Sequence, residues 1–205
     1  MMLDHLVLAA PDLDAAIREF TELTGVRPAP GGSHLGLGTA NQLVDLGAGG
    51  YLEIIGPDVQ QPAPAQPRPF GIDDLAAARL VAWAVRTDDL DGLLARARAA
   101  GYDPGEPRAM SRRTAEGELL QWRLTMPRFD DGGGLVPFLI DWGSSSHPTS
   151  RALPRAELRE LRGRHPDPAS VRPALTALGV DLRLDMGEAV SLTAVVEGAD
   201  GPVTL

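Results

Sequence analysis

The chain has 205 residues, 43% of them apolar, which suits one compact domain or two small ones with a core that needs no covalent staple. It contains no cysteine, and all 19 basic residues are arginine, which excludes thiol nucleophiles, disulfides, thiolate metal sites, Schiff-base chemistry, lysine-anchored pyridoxal phosphate and the P-loop lysine. A formal net charge of −9 argues against nucleic acid as a partner, because binding it requires a basic stripe that displaces counterions.

Residues 3–9 read as a strand. The start ahead of it, Met1-Met2-Leu3-Asp4-His5, lacks the basic region and cleavage site of a signal peptide. No apolar run approaches the roughly 20 residues that cross a bilayer, so a cytoplasmic protein without a membrane partner is expected. Asp12 then opens a helix that closes before Gly25, with Leu13, Ile17 and Phe20 as its apolar stripe. A Gly-rich loop follows, then strands at 41–46 and 51–55. Residues 57–69 are rich in Pro and Gln and read as an extended linker.

The pattern then repeats. A strand at 80–86 precedes a helix from Asp89 to before Gly101, striped by Leu90, Leu93, Leu94 and Ala97. Strands at 119–126 and 136–142 follow, with Gly132-Gly133-Gly134 as a loop tip between them, and a Ser- and Pro-rich linker covers 143–154. A third round has a strand at 158–164, a helix from Asp167 to before Gly179 with Pro168 at its first position, and strands at 180–184, 190–196 and 203–205. The helix-opening aspartates lie 77 and 78 residues apart, and each is followed by its glycine after 13, 12 and 12 residues. The predicted architecture is α+β, built of tandem βαβββ modules. Module one spans 1–57, a Pro-rich linker 58–78, module two 79–143, a second linker 144–155 and a third module 156–205.

Residues 3–9 with Pro11-Asp12-Leu13, and the run Tyr51-Leu52-Glu53-Ile54-Ile55-Gly56, resemble the first and last strands of a module of the vicinal oxygen chelate superfamily. That superfamily includes glyoxalase I, extradiol dioxygenases and the bleomycin-resistance proteins. Residues 30–41, Trp122-Arg123-Leu124 and 135–143 are similar to its glyoxalase-like domain subgroup. The likeness covers residues 1–143, and the third module matches in pattern only. It implies that modules one and two pair into a curved-sheet cleft around a divalent metal (Zn, Ni, Mn or Fe), with His on the first strand and Glu on the last as ligands. His5 and Glu53 hold those positions. Module two departs from the pattern: the 77-residue offset sets Ala82 against His5, and aligning Gly56 with Gly143 sets Ile140 against Glu53. Asp141, the nearest carboxylate, is turned to the opposite face by strand alternation.

Around that pair, each candidate carries two readings. His5 and Glu53 are metal ligands and catalytic groups, or a satisfied polar pair at a pocket floor. His34 is a third ligand or substrate contact, or a solvated turn residue. Asn41 orients a substrate carbonyl or satisfies backbone. Arg123 forks onto a substrate carboxylate, or stands exposed on its strand. Tyr51, Phe138 and Trp142 line the cleft, whereas Trp83 belongs to the core and His147 to a loop. Two functions follow. One is a metal-dependent lyase, isomerase or dioxygenase acting on a small oxygenated molecule. The other is a metal-free protein that sequesters a small molecule in a degenerate site. No nucleotide, pyridoxal phosphate or haem is expected. An odd third module leaves an apolar sheet face that either packs internally or pairs with a second copy in a homodimer.

Overall fold

The computed structural model describes residues 2–114, 117–129 and 132–205. Three helices form where aspartate caps predict them: α1 (Leu13–Thr24), α2 (Leu90–Ala99) and α3 (Pro168–Leu178). The side chains of Asp12, Asp89 and Asp167 accept from the amides of Ala15, Gly92 and Ala169 at 2.9, 3.0 and 3.1 Å. Each satisfies a first-turn N–H that the helix itself leaves unpaired. Gly25 and Gly179 close α1 and α3 in the left-handed conformation, whereas α2 ends at Ala100.

Eight strands close into a barrel. In chain order they are β1 (Met2–Ala9), β2 (Ala29–His34), β3 (Thr39–Gly47), β4 (Gly50–Pro57), β5 (Arg79–Arg86), β6 (Pro107–Thr114), β7 (Leu119–Thr125) and β8 (Phe138–Asp141). Around the barrel they run β1-β4-β3-β2-β6-β7-β8-β5. Two of them are additions to the expected pattern. β2 lies in the segment read as a Gly-rich loop, and β6 in an Arg-rich stretch before β7. They pair with one another through Gly32↔Thr114 and Ser33↔Arg113, forming one of the two seams between the halves. A Cβ on Gly32 would fall 2.0 Å from the Arg113 carbonyl oxygen, so the close approach at this seam requires glycine. The other seam is the antiparallel pairing of β1 with β5.

Strand alternation sorts the barrel side chains into two cores. Val7, Ala9, Leu43, Tyr51, Ala82, Phe138 and Ile140 pack inside. Leu6, Leu8, Leu52 and Trp83 point outward and meet the helices. Trp83 sits opposite Leu6 and donates its indole N–H to the Leu135 carbonyl at 2.9 Å.

The last unit is a four-stranded sheet, β9 (Glu157–His165), β10 (Arg183–Met186), β11 (Ser191–Gly198) and β12 (Gly201–Thr204), ordered β10-β9-β11-β12, with α3 on it. Its Leu182, Leu184, Leu192, Ala194 and Val196 share the outer core with Phe20, Trp83 and Leu90. The apolar face that suggested a second copy is thus covered by the chain itself. Among the described residues no helix is long and apolar enough to cross a membrane.

Candidate functional site

The barrel encloses a cavity of about 320 Å³. Its walls are largely apolar and aromatic, among them Tyr51, Phe70, Met110, Trp122, Phe138 and Trp142. Polar groups gather at one end: His5 from β1, His34 from β2, Asn41 from β3, Glu53 from β4 and Arg112 from β6. Among the described residues lining the cavity, Glu53 is the sole carboxylate.

Glu53 is the centre of that end. Its Oε2 lies 3.9 Å from His5 Nε2, and its Oε1 lies 3.9 Å from His34 Nε2. Asn41 Nδ2 donates a short hydrogen bond to Oε1. Behind it, Arg112 Nη1 donates to Asn41 Oδ1 at 3.0 Å. A guanidinium only donates, so the amide oxygen must face Arg112 and the NH₂ must face the carboxylate.

His5 is fixed from the other side by Asp4. Adjacent strand residues normally face opposite ways, yet both of these side chains reach one network. The cause is a β-bulge: Leu3 pairs with Val85 and His5 with Ala84, leaving Asp4 as an extra residue that re-aims its side chain. Asp4 Oδ1 meets His5 Nδ1 at 2.6 Å, and Oδ2 accepts from Trp142 Nε1 and His147 Nε2, both at 3.0 Å. Burial alone would raise the Asp4 carboxyl, but the hydrogen bonds and charges of His147 and His5 outweigh it and hold it well below the usual carboxylate range. The ionised carboxylate therefore keeps a proton on His5 Nδ1 and directs Nε2 toward Glu53. The His5 ring also stacks on Tyr51, with centroids 4.8 Å apart, and meets the edge of Phe138 at 5.3 Å.

His34 is held through Nδ1 by Thr39 Oγ1 at 3.1 Å. Burial pushes its pKa down to about 4, against the pull of Glu53 and with help from Arg112, so the ring is neutral near pH 7.

Among protein families, the sequence matches the Glyoxalase-like domain over residues 3–179, most of the chain. The chain belongs to that family. It is thereby a member of the vicinal oxygen chelate superfamily. No curated protein matches the sequence. Of solved structures, a hypothetical protein from Staphylococcus aureus is similar at 14% identity and TM-score 0.64, over 92% of this chain and 87% of that one. Methylmalonyl-CoA epimerase from Mycobacterium tuberculosis aligns at 20% identity and TM-score 0.43, over 73% of this chain and 91% of that one. A Streptomyces coelicolor methylmalonyl-CoA epimerase in complex with 2-nitronate-propionyl-CoA aligns at 21% and 0.45, over 72% and 99%. The Staphylococcus aureus likeness is one of fold.

In this glyoxalase-like domain, seven of the eight residues singled out from sequence line the cavity: His5, His34, Asn41, Tyr51, Glu53, Phe138 and Trp142. Arg123 does not. It points out of the barrel and forks onto Asp91 of α2 at 2.7 and 3.0 Å, in keeping with the second of its two readings, an arginine exposed on its strand. Trp122, its neighbour on β7, takes the inward position. The guanidinium at the polar end is that of Arg112, and Arg108 joins the lining from the same strand. Neither was foreseen, because β6 was not read as a strand. His147, read as a loop residue, folds back onto Asp4.

The family resemblance implies a divalent metal held by His5 and Glu53, and His34 is the candidate third donor beside them. Two donors that share an ion through bonds of about 2.1 Å lie roughly 3.0–3.4 Å apart. Here both imidazole nitrogens are 3.9 Å from the carboxylate, and Oε1 already accepts from Asn41. Ala82 and Ile140 stand apolar where module two would contribute ligands. Among the described residues no group of three or more His, Asp or Glu side chains is arranged to hold a metal ion. The residues as arranged do not fit a resident metal.

Proposed function

We propose that this glyoxalase-like domain is an enzyme of the isomerase or lyase kind, moving a proton on carbon beside an oxygen-bearing group of a small molecule. The observation that carries this reading is the placement of Glu53, a carboxylate facing two imidazoles at the polar end of an otherwise apolar cavity. A base working on a carbon acid benefits from such a dry, pre-arranged setting, where its charge acts with little screening. The aromatic walls suit a planar or apolar substrate body and leave its oxygens to the polar end.

The roles divide by proton state. Glu53 takes the proton from carbon. His5, oriented through Nδ1 by the Asp4 carboxylate, presents Nε2 beside Glu53 as a proton-transfer partner for the substrate oxygen. His34 stays neutral and contributes a hydrogen bond. Asn41 holds Glu53 in place.

A second reading, a metal-free binding protein, is favoured by the aromatic lining alone. Glu53→Gln separates the two, since it keeps the shape and removes the base. Binding is read by quenching of Trp122 and Trp142 fluorescence with a panel of small aromatic and aliphatic ketones, and turnover by uptake of solvent deuterium into the same compounds. Capture with turnover that the variant loses supports the enzyme. Capture by both proteins, with deuterium uptake by neither, supports the binder.

A further inference from the structure

The misfit between the family's expected metal and this polar end has a positive counterpart in the chain. We propose that Arg112, relayed through the Asn41 amide, is the built-in counter-cation of Glu53, so that the carboxylate is charge-compensated and oriented without a metal ion. The inference concerns how the site is held and stands whichever reaction the cavity performs.

Three observations carry it. Arg112 is 3% exposed although it bears a permanent charge, and burying such a group is costly unless an opposite charge lies near. Glu53 is the carboxylate that lines the same cavity end, and the Arg112–Asn41–Glu53 hydrogen bonds run from guanidinium to carboxylate without a break. The amide dipole is oriented by the guanidinium, so its NH₂ presents the positive end to Oε1.

The second observation is the space made for this relay. A Cβ on Gly31 would fall 2.1 Å from Asn41 Oδ1 and 2.6 Å from Arg112 Nη1. Any side chain at position 31 would therefore collide with the contact between the two. Gly31, Asn41 and Arg112 come from β2, β3 and β6, so the relay spans the β2–β6 seam and is complete only when the halves close.

The third is electrostatic. A divalent ion placed between Glu53 and the imidazoles would meet the field of the buried Arg112 guanidinium, which lies one amide away from the carboxylate. Arg112 and Asn41 are positioning residues: they act on the reacting groups through Glu53.

Mn²⁺ alone is the probe. Wild type, Arg112→Ala, Asn41→Asp and Glu53→Gln, each dialysed against chelator, are titrated with Mn²⁺ and free ion is read by electron paramagnetic resonance. Glu53→Gln sets the level of unspecific surface binding. Wild type is expected to match that level. Arg112→Ala, which removes the charge, and Asn41→Asp, which replaces the amide by a ligand and engages Arg112 directly, are each expected to bind one Mn²⁺ at least ten-fold more tightly. Adding guanidinium ion to Arg112→Ala should suppress the gain, a rescue that a merely structural arginine would not show. If Arg112→Ala fails to fold, Asn41→Asp decides. One tightly held Mn²⁺ in wild type that Glu53→Gln loses, or no gain in a folded variant, overturns the proposal. Neither result depends on finding a substrate, so this proposal and the proton-transfer reading fail separately.

Discussion

Asp4 and Val81 occupy the same position in the two halves of the barrel: they lie 77 residues apart, as do the helix-opening Asp12 and Asp89, and each is the extra residue of a β-bulge where β1 pairs with β5. Between Leu3 and His5 the bulge is in β1; between Leu80 and Ala82 it is in β5. Both bulged side chains are buried. In the first half the bulge and its neighbour are Asp4 and His5, joined by a hydrogen bond of 2.6 Å; in the second they are Val81 and Ala82. The repeated backbone thus provides two equivalent places for a buried polar pair, and the chain uses one. Of these four residues, His5 lines the cavity.

Replacing Asp4 by Asn keeps its shape but removes the charge that fixes the His5 tautomer. The variant should lose about 3 kcal/mol of stability, since an ionised acceptor of two buried hydrogen bonds and one part-buried one is lost. Deuterium uptake should slow by at least about 100-fold, because the Asn no longer fixes the tautomer of the reacting histidine, as when the Asp of a Ser-His-Asp triad becomes Asn. Val81→Ala is the control: it should lower the urea midpoint by opening a void, and leave the uptake rate near wild type.

His34 makes stability depend on pH in a defined window. Its pKa falls from 6.5 in the unfolded chain to about 4 in the fold, so between those values the unfolded chain binds the proton and the folded one does not. The stabilisation is whole above pH 6.5 and is lost as pH falls towards 4, by roughly 3 kcal/mol across the window. The depressed Asp4 acts in the same direction, but only as pH falls below its ordinary value of 3.8. Urea midpoints at pH 7 and pH 5 should therefore differ in wild type, and His34→Gln should remove most of that difference. An unchanged difference in the variant would assign the slope to other groups.

The helices were legible because each needs only local signals, an Asp at the start and a Gly near the end, at a repeated spacing. β2 and β6 were not, because Ala-Pro-Gly-Gly-Ser-His and Pro-Arg-Ala-Met-Ser-Arg-Arg-Thr carry little strand propensity. Pairing across the seam makes them strands, and that is a long-range fact. The cost fell on the site. Without β6, strand patterning offers Arg123 as the cleft guanidinium and hides Arg112. Asp4 was missed for a different reason: alternation turns it outward, and only the bulge turns it back. Asn41, Tyr51, Glu53 and Phe138 lie on strands whose pattern is regular, whereas His34, on β2, shows in the sequence only as a histidine in a Gly-rich stretch.

Gly31→Ala tests the relay without touching a charged group. The new methyl would meet Asn41 Oδ1 at 2.1 Å in an unrelaxed barrel. The variant should lose about 1–3 kcal/mol, as overpacked cores do, and should gain Mn²⁺ binding as Arg112→Ala does. Loss of stability with no gain in Mn²⁺ would limit Gly31 to packing.

Arg123→Ala is expected to leave both ligand capture and deuterium uptake unchanged, because its partner Asp91 lies on the outside of α2 and the pair is exposed. A selective loss of capture in fluorescence titrations would place Arg123 back in the cavity.

Glu53 as a proton-transferring base is the central claim, and solvent exchange at carbon tests it most directly. Small carbonyl compounds captured by the cavity are incubated in deuterated buffer with wild type or Glu53→Gln, and loss of the proton beside the carbonyl is followed by proton NMR. The account predicts catalysed exchange of at least one captured compound by wild type, and none above the buffer rate by Glu53→Gln, which still quenches on binding. Equal exchange by the two proteins would contradict it.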